Sequence, residues 1–139
     1  MEDLERAVSY LQAHDCTCVL VKGDTVYGST RRGIAPLMEL LQAGRDCRGF
    51  SAADKVVGRA TAFLYGRMGV VRLHTHTISK SAAEVLEGFG IVYSFDQMVE
   101  AILNRKKDGF CPMESAVRRV SDPEEAYRIL VQAYAKLND

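Results

Sequence analysis

Hydrophobic and polar residues recur along the chain with two different periods, and each change of period marks an element. Near the amino end the apolar residues recur at helical spacing, at Leu4, Ala7, Val8 and Leu11. This spacing predicts a helix over 2–14. Two β-rich runs follow, 16–22 and 25–30, joined by Gly23-Asp24, a pair typical of a tight turn. The pattern therefore predicts a helix followed by a β-hairpin.

The later elements follow from the same periods together with helix start and stop residues. Helices are expected from Pro36 to Gly44, from Ser51 to about Tyr65, over 80–90, from Asp96 to Asn104, from Pro112 onward and from Pro123 to Leu137. Two further strands are expected over 70–79 and 91–95, and a basic loop over 104–109. The strand-helix-strand passage predicts a right-handed parallel crossover. Residues 1–139 are thus expected to form one α/β domain, a three-layer α/β/α sandwich with a mixed sheet.

Composition restricts the classes of protein. The chain has 139 residues, 47% of them hydrophobic, enough for an ordinary core, yet no run of about 18 apolar residues that could span a membrane. Its amino end is acidic and helical rather than a basic leader, so a cytoplasmic location is expected. The four cysteines are then expected to be free thiols.

The net charge is zero, but its distribution is uneven. Residues 1–30 sum to -3, residues 31–80 to +6 and residues 81–139 to -3. The neutral total argues against bulk nucleic-acid binding, whereas the basic centre could attract a small anion such as phosphate. An ordinary charged surface without a partner is the alternative.

Ser51, Asp54 and Lys55 form the first candidate site, at the start of the helix expected from Ser51. Ser51 with Asp54 three residues later resembles a capping box, which alone would explain both residues. Lys55 is not explained by capping, because a cation at a positive helix end is unfavourable unless an anion neutralises it. Asp54 or a bound phosphate could be that anion.

A second candidate site lies in "GSTRRGIAP", where a strand ends and a helix begins. The stretch brings Ser29, Arg32 and Gly33 together with free backbone amides, a combination that can receive an anion. It matches neither the phosphate loop nor the dinucleotide fingerprint. An exposed turn is the competing interpretation.

The stretch "CPMES" places Cys111 before Pro112 and Glu114 in the first helical turn. A cysteine at a helix start can become a nucleophile because its pKa is lowered there, but the charge of Glu114 opposes this effect. An inert, packed cysteine is the alternative, since no histidine lies nearby in sequence.

Two pairs of metal-ligand residues, Cys16 with Cys18 and His74 with His76, each fall on one face of an expected strand. Their spacing is poor for structural zinc, and nothing in the sequence makes the two strands neighbours. Neither a metal nor another cofactor is therefore expected.

Four stretches together resemble a bacterial family labelled domain of unknown function 1893, namely "KGDTVYGSTRRGIAPLMELL", "SAADKVVGRATAFL", "HTISKSAAEVL" and "GFCPMESAV". The resemblance covers nearly the whole chain. It implies a fold similar to cytidine deaminase and no established reaction.

Cytidine deaminases carry H-x-E or C-x-E at one helix start and P-C-x-x-C at the next, which hold zinc and a general acid/base. By this resemblance, Ala53-Asp54-Lys55 and "SKSAAE" occupy those two positions. The zinc ligands are missing, so hydrolysis by a zinc-bound hydroxide is not expected.

Three hypotheses remain open from the sequence. In the first, the domain binds a nucleotide or another phosphorylated small molecule through Lys55, Arg32, Ser29 and Gly33, with Asp54 taking a ribose or base donor. In the second, it is an enzyme of unassigned class in which Asp54 and Lys55 act as an acid/base pair near Cys111 and Glu114. In the third, it is a regulatory or assembly module without a small ligand. Assembly with further copies of the chain stays open in each.

Overall fold

The computed structural model of the chain describes residues 2–103 and 111–137. The basic loop expected over 104–109 and the expected helix end at Asn104 lie outside these residues. The described elements, in chain order, are α1 (Asp3–Ala13), β1 (Cys18–Lys22), β2 (Thr25–Ser29), α2 (Ala35–Gln42), β3 (Ser51–Val57), α3 (Arg59–Met68), β4 (Arg72–Ser79), α4 (Lys80–Phe89), β5 (Val92–Val99), α5 (Pro112–Val117) and α6 (Pro123–Leu137).

The strands form one mixed sheet in the order β2-β1-β3-β4-β5. β1 is antiparallel to both β2 and β3, whereas β3, β4 and β5 run parallel. Helix α1 packs against one face and shares a small core with β1 and β3. The larger core lies on the other face and includes residues of α2 to α6. The expected α/β/α sandwich with a mixed sheet is therefore confirmed.

Several expected elements are found because their signals are local. The hairpin forms at Gly23, whose φ of +57° suits a tight turn. The side chain of Ser79 accepts a hydrogen bond from the amide of Ala82 and so caps α4. Asp122 caps α6 in the same way through the amide of Glu125.

The helix expected from Ser51 is wrong in its first half, where the chain forms strand β3. The central strand of the sheet is buried on both faces, so small residues such as Ala52 and Ala53 leave room for a helix on each side. A short run of small and apolar residues does not distinguish a buried strand from a helix by its period alone. Ser51 is consequently the first residue of β3, not a helix cap, and the helix begins only at Arg59.

The helix expected from Asp96 is also wrong, because β5 continues through Val99. Its apolar residues happen to fit helical spacing, but pairing with β4 satisfies the backbone instead. The four cysteines are free thiols. Within the described ranges, no helix is both long and apolar enough to cross a membrane.

Candidate functional site

A cleft of about 290 Å³ opens beside the carboxyl end of β3, between the first turns of α2 and α3 and the start of α5. We refer to it as the β3 cleft. Six of the eight residues singled out in the sequence line it: Arg32, Gly33, Asp54, Lys55, Cys111 and Glu114. Much of the remaining wall is apolar and includes Ile34, Leu37, Val56, Ile102 and Met113. The fold thus gathers residues from five separate stretches of sequence around one concave surface, namely 17–18, 31–37, 54–61, 102 and 111–114.

Asp54 lies in the wall of the β3 cleft and is almost fully buried, with 8% of its surface exposed. The hydroxyl of Tyr65 donates a hydrogen bond of 2.6 Å to its Oδ2, and the amide of Val56 donates one of 3.2 Å to its Oδ1. The same Tyr65 hydroxyl lies 3.2 Å from Sγ of Cys18. Cys18 is paired with Asp54 in the β1–β3 ladder, so strand register brings the thiol and the carboxyl together.

Burial raises the pKa of Asp54 from 3.8 to about 7, although the hydrogen bonds from Tyr65 and from the backbone act in the opposite direction. Desolvation dominates because a carboxylate loses its hydration inside the fold. Burial and the charge of Asp54 also raise the pKa of Cys18 well above its ordinary value. Asp54 can therefore gain or lose a proton near neutral pH, whereas Cys18 stays a neutral thiol.

Glu114 closes the neighbouring wall by capping α3 from another part of the chain. Its two carboxylate oxygens each accept a hydrogen bond of 2.7 Å, from the amides of Arg59 and Ala60. Gly58 makes this possible, because a Cβ at that position would lie 2.5 Å from the carboxyl carbon of Glu114. Glu114 therefore completes a helix start that has no side-chain cap of its own.

The side chain of Arg59 connects the start of α3 to α4 and to the carboxyl end of α5. Its guanidinium donates hydrogen bonds of 2.9 Å to the carbonyl of Val117 and 2.8 Å to the hydroxyl of Ser81, and a third to the carbonyl of Val120. These bonds join α3 to α4 and to the end of α5. Arg59 is therefore a structural residue, which holds α5 and Glu114 against the β3 cleft.

Arg31 and Arg32 supply positive charge at the entry to α2. Arg31 is paired with Glu39, whereas the exposed Arg32 has no ion-pair or hydrogen-bond partner for its side chain in residues 2–103 and 111–137. Gly33 follows with φ of +64°, a left-handed conformation that favours glycine. The turn thus places the guanidinium of Arg32 beside the cleft, where its positive charge favours an anionic ligand.

Lys55 does not form an acid/base pair with Asp54. Successive residues of a strand point to opposite faces, and the ammonium of Lys55 lies 3.9 Å from Oδ1 of Asp15 on the α1 side of the sheet. Lys55 borders both the β3 cleft and a groove on that opposite face. The interpretation of Asp54 and Lys55 as neighbours at a helix start is therefore corrected, because both belong to β3.

Ser29 and Ser51 lie outside the β3 cleft. The hydroxyl of Ser29 accepts a hydrogen bond of 3.1 Å from the amide of Arg31 and so stabilises the turn. Ser51 is buried at the amino end of β3, three residues before Asp54 and away from the carboxyl end of the strand, where the cleft opens. Cys111 does line the cleft and is half-buried at the start of α5, where its own amide is bonded to the carbonyl of Ile102.

The residues considered for zinc do not converge. Strand β3 separates β1 from β4, so Cys18 and the histidine pair belong to strands that are not neighbours. His74 and His76 instead contact Asp96 of β5, at 3.5 Å and 3.1 Å. Across the part of the chain that the structure describes, no three His, Cys, Asp or Glu side chains are grouped so that they could hold a metal ion.

Tyr65 was not identified as a site residue from the sequence, and Cys18 was considered only as a zinc ligand. Tyr65 belongs to the buried face of α3, and its hydroxyl reaches Asp54 only because α3 packs under β3. No local motif marks this contact. The one available signal is that a buried tyrosine hydroxyl needs a polar partner.

Comparisons with known proteins give both close and distant similarities. Residues 6–133 match the family model described as Domain of unknown function (DUF1893), TM1506. A DUF1893 family protein (TM1506) from Thermotoga maritima has a similar crystal structure, with a TM-score of 0.87 and 28% identity over 96% of this chain and 91% of that chain.

Two of the distant similarities are to dCMP deaminase from the cyanophage S-TIM5. Its apo form gives a TM-score of 0.47 at 11% identity, covering 67% of this chain and 93% of that chain. Its complex with dCMP and dUMP gives 0.45 at 10%, covering 66% and 92%. The search of curated proteins found no match. The resemblance seen in the four sequence stretches is confirmed, and the chain belongs to the DUF1893 family.

Proposed function

We propose that the β3 cleft binds a small phosphorylated molecule, with a nucleotide as the best-fitting class. The proposal rests on one observation: the same cavity is bordered by arginines and by a buried carboxyl group. Arg32 and Arg31 border it at the entry to α2, and the buried carboxyl of Asp54 lies in its wall. A phosphate suits the arginines, and a base or sugar donor suits the carboxyl.

The size and lining of the cleft support a ligand of this class. At about 290 Å³, the cavity is at the lower limit of the about 300–1,000 Å³ that small-molecule sites usually enclose. It therefore suits a mononucleotide better than a dinucleotide. The apolar residues between the two ends, including Ile34 and Met113, offer a surface for a flat ring. Arg32 is free to turn toward a phosphate, since its side chain has no partner within the described ranges.

Calorimetric titration with nucleoside monophosphates, the matching nucleosides and inorganic phosphate tests the proposal. We expect the monophosphates to bind more tightly than either fragment. Arg32→Ala should raise the Kd of a monophosphate about 10-fold or more, because a hydrogen bond to a charged group contributes about 1.5–3 kcal/mol. The same variant should leave nucleoside affinity unchanged.

Arg72→Ala is the matched control, because Arg72 is also a half-exposed arginine but lies on β4 and pairs with Glu2, away from the cleft. It should change neither affinity. Asp54→Asn should weaken the binding of nucleosides and monophosphates alike, since it alters the contact with the base or sugar, which both kinds of ligand contain. Equal binding of nucleosides and monophosphates, or no binding of either, would contradict the proposal and favour a module without a small ligand.

A second candidate function is acid–base catalysis at the same cleft. The observation that favours it is the raised pKa of Asp54, about 7, which lets this carboxyl act as acid or base at neutral pH. Tyr65 would position the carboxyl of Asp54, since its hydroxyl donates a hydrogen bond to Oδ2 while the amide of Val56 donates one to Oδ1. Incubating each bound ligand with the protein and analysing it by mass spectrometry separates the two functions. A product that disappears in Asp54→Asn indicates an enzyme, and an unchanged ligand indicates a binding protein.

A further inference from the structure

Strand β5 forms one edge of the sheet. Its inner side pairs with β4, and no strand within 2–103 or 111–137 pairs with its outer side. At eight residues it is longer than β2, the other edge strand, which has five. Exposed edge strands present a row of unpaired backbone donors and acceptors, which another strand can use.

The side chains of β5 do not protect this edge. Val92 is 66% exposed, and Phe95 and Met98 are each 40% exposed. The strand contains neither proline nor lysine nor arginine, the residues that usually block pairing at an edge. An apolar, unblocked edge of this length favours pairing with another strand.

The one charged residue of β5 is turned away from a partner. The carboxylate of Asp96 lies 3.1 Å from Nδ1 of His76 and 3.5 Å from Nε2 of His74, both on β4. Its charge is therefore held toward the inside of the sheet. Pairing at the outer side does not require this carboxylate to give up its contacts.

We infer that β5 pairs antiparallel with β5 of a second copy of the chain, about a two-fold axis at Phe95. The spacing of the exposed apolar residues is symmetric about that position. Val92 then lies opposite the partner's Met98, Met98 opposite the partner's Val92, and the two Phe95 side chains meet at the axis. Two five-stranded sheets would join into one continuous sheet.

The charge on Asp96 selects this register. With the axis at Phe95, Asp96 lies opposite the partner's Ser94, a neutral residue. An axis at Asp96 would place two carboxylates opposite each other, which is unfavourable across an antiparallel pair. An axis midway between the two residues would instead set Phe95 against the partner's Asp96. A second copy is therefore the occupant that matches this edge in both apolar spacing and charge.

Light scattering coupled to size-exclusion chromatography tests the assembly. We expect a mass of twice the 15.4 kDa of one chain. Phe95→Lys should reduce the mass to that of one chain, whereas Val26→Lys, on the exposed edge strand β2, should leave the dimer intact. A wild-type protein that is monomeric at micromolar concentration, or a dimer that survives Phe95→Lys, would overturn the inference.

Cysteine cross-linking tests the register and does not depend on the folding of Phe95→Lys. Phe95→Cys should form a disulfide-linked dimer under mild oxidation, because residues at the axis are close enough for a disulfide. Ser94→Cys, which lies as far from its own copy across this axis as position 96 does and keeps the charge of Asp96, should cross-link at least 10-fold more slowly. Peptide mapping by mass spectrometry distinguishes a bond between the two introduced cysteines from one that involves Cys111. Equal cross-linking by both variants, or none by Phe95→Cys, would exclude pairing about Phe95.

Discussion

The protonation of Asp54 should make the stability of the protein depend on pH in an unusual direction. The pKa of Asp54 rises from 3.8 to about 7 on folding. Between these values the folded chain holds a proton that the unfolded chain has released, so the free energy of unfolding falls as pH rises. One pKa unit corresponds to about 1.4 kcal/mol, so an ionised Asp54 lowers the stability above pH 7 by about 4 kcal/mol.

Urea unfolding at a series of pH values, in the wild type and in Asp54→Asn, measures this effect. Asparagine keeps the shape and an oxygen that accepts from Tyr65 but carries no charge. The stability of Asp54→Asn relative to the wild type should increase by about 3 kcal/mol between pH 5 and pH 8. Asp24→Asn, in the exposed hairpin turn, controls for the loss of one negative charge. A relative stability of Asp54→Asn that does not change with pH would refute the account of Asp54.

Four further substitutions test other contacts. Tyr65→Phe removes a donor that lowers the pKa of Asp54 in the folded state, so the fall in stability should extend to higher pH, as followed by the same unfolding series. Gly66→Ala should lower the free energy of unfolding by about 1–3 kcal/mol, because its Cβ would lie 2.3 Å from a phenylalanine ring of α4. Gly88→Ala should instead raise the free energy of unfolding by up to about 1 kcal/mol, because a Cβ there meets open space and alanine favours a helix more than glycine does. A higher melting temperature would show this gain. Glu114→Gln should cost about 1–3 kcal/mol in urea unfolding, since the amide cannot accept from both helix amides; no loss there would show that α3 needs no cap from α5.

The parts of the fold that the sequence predicted well are those set by local signals. Gly23-Asp24 defines the hairpin, Ser79 and Gly90 delimit α4, and Pro123 begins α6. Each signal acts within a few residues of itself, through a cap or a turn. Such signals define the ends of an element without depending on residues that are distant in sequence.

Strand β3 was missed because its identity depends on its neighbours. "SAADKVV" has no strong preference of its own, and it becomes a strand because β1 and β4 pair with it on either side. The same holds for the end of β5, which pairs with β4 where helical spacing suggested a helix. Sheet pairing over long sequence distances overrides local periodicity at both positions.

In the candidate site, too, the sequence revealed the local features and not the contacts between residues that are distant in sequence. The residues of the site drew attention by their types and their places in short motifs, and the fold brings six of them, four of them charged, around one cleft. The contact of Tyr65 with Asp54 and Cys18 depends on strand register and on the packing of α3, which no short motif records. A buried hydrogen-bond network of this kind becomes visible only in three dimensions.

The cap that Glu114 provides to α3 spans 55 positions of sequence. One wall of the β3 cleft is therefore sealed only when the carboxyl-terminal quarter of the chain has docked. A substitution at Glu114 would therefore loosen this wall of the cavity without altering the contact of Asp54 with Tyr65. Sequence changes at Glu114 can thus alter how firmly one wall of the cleft is held, while the buried polar residues inside the cleft stay the same.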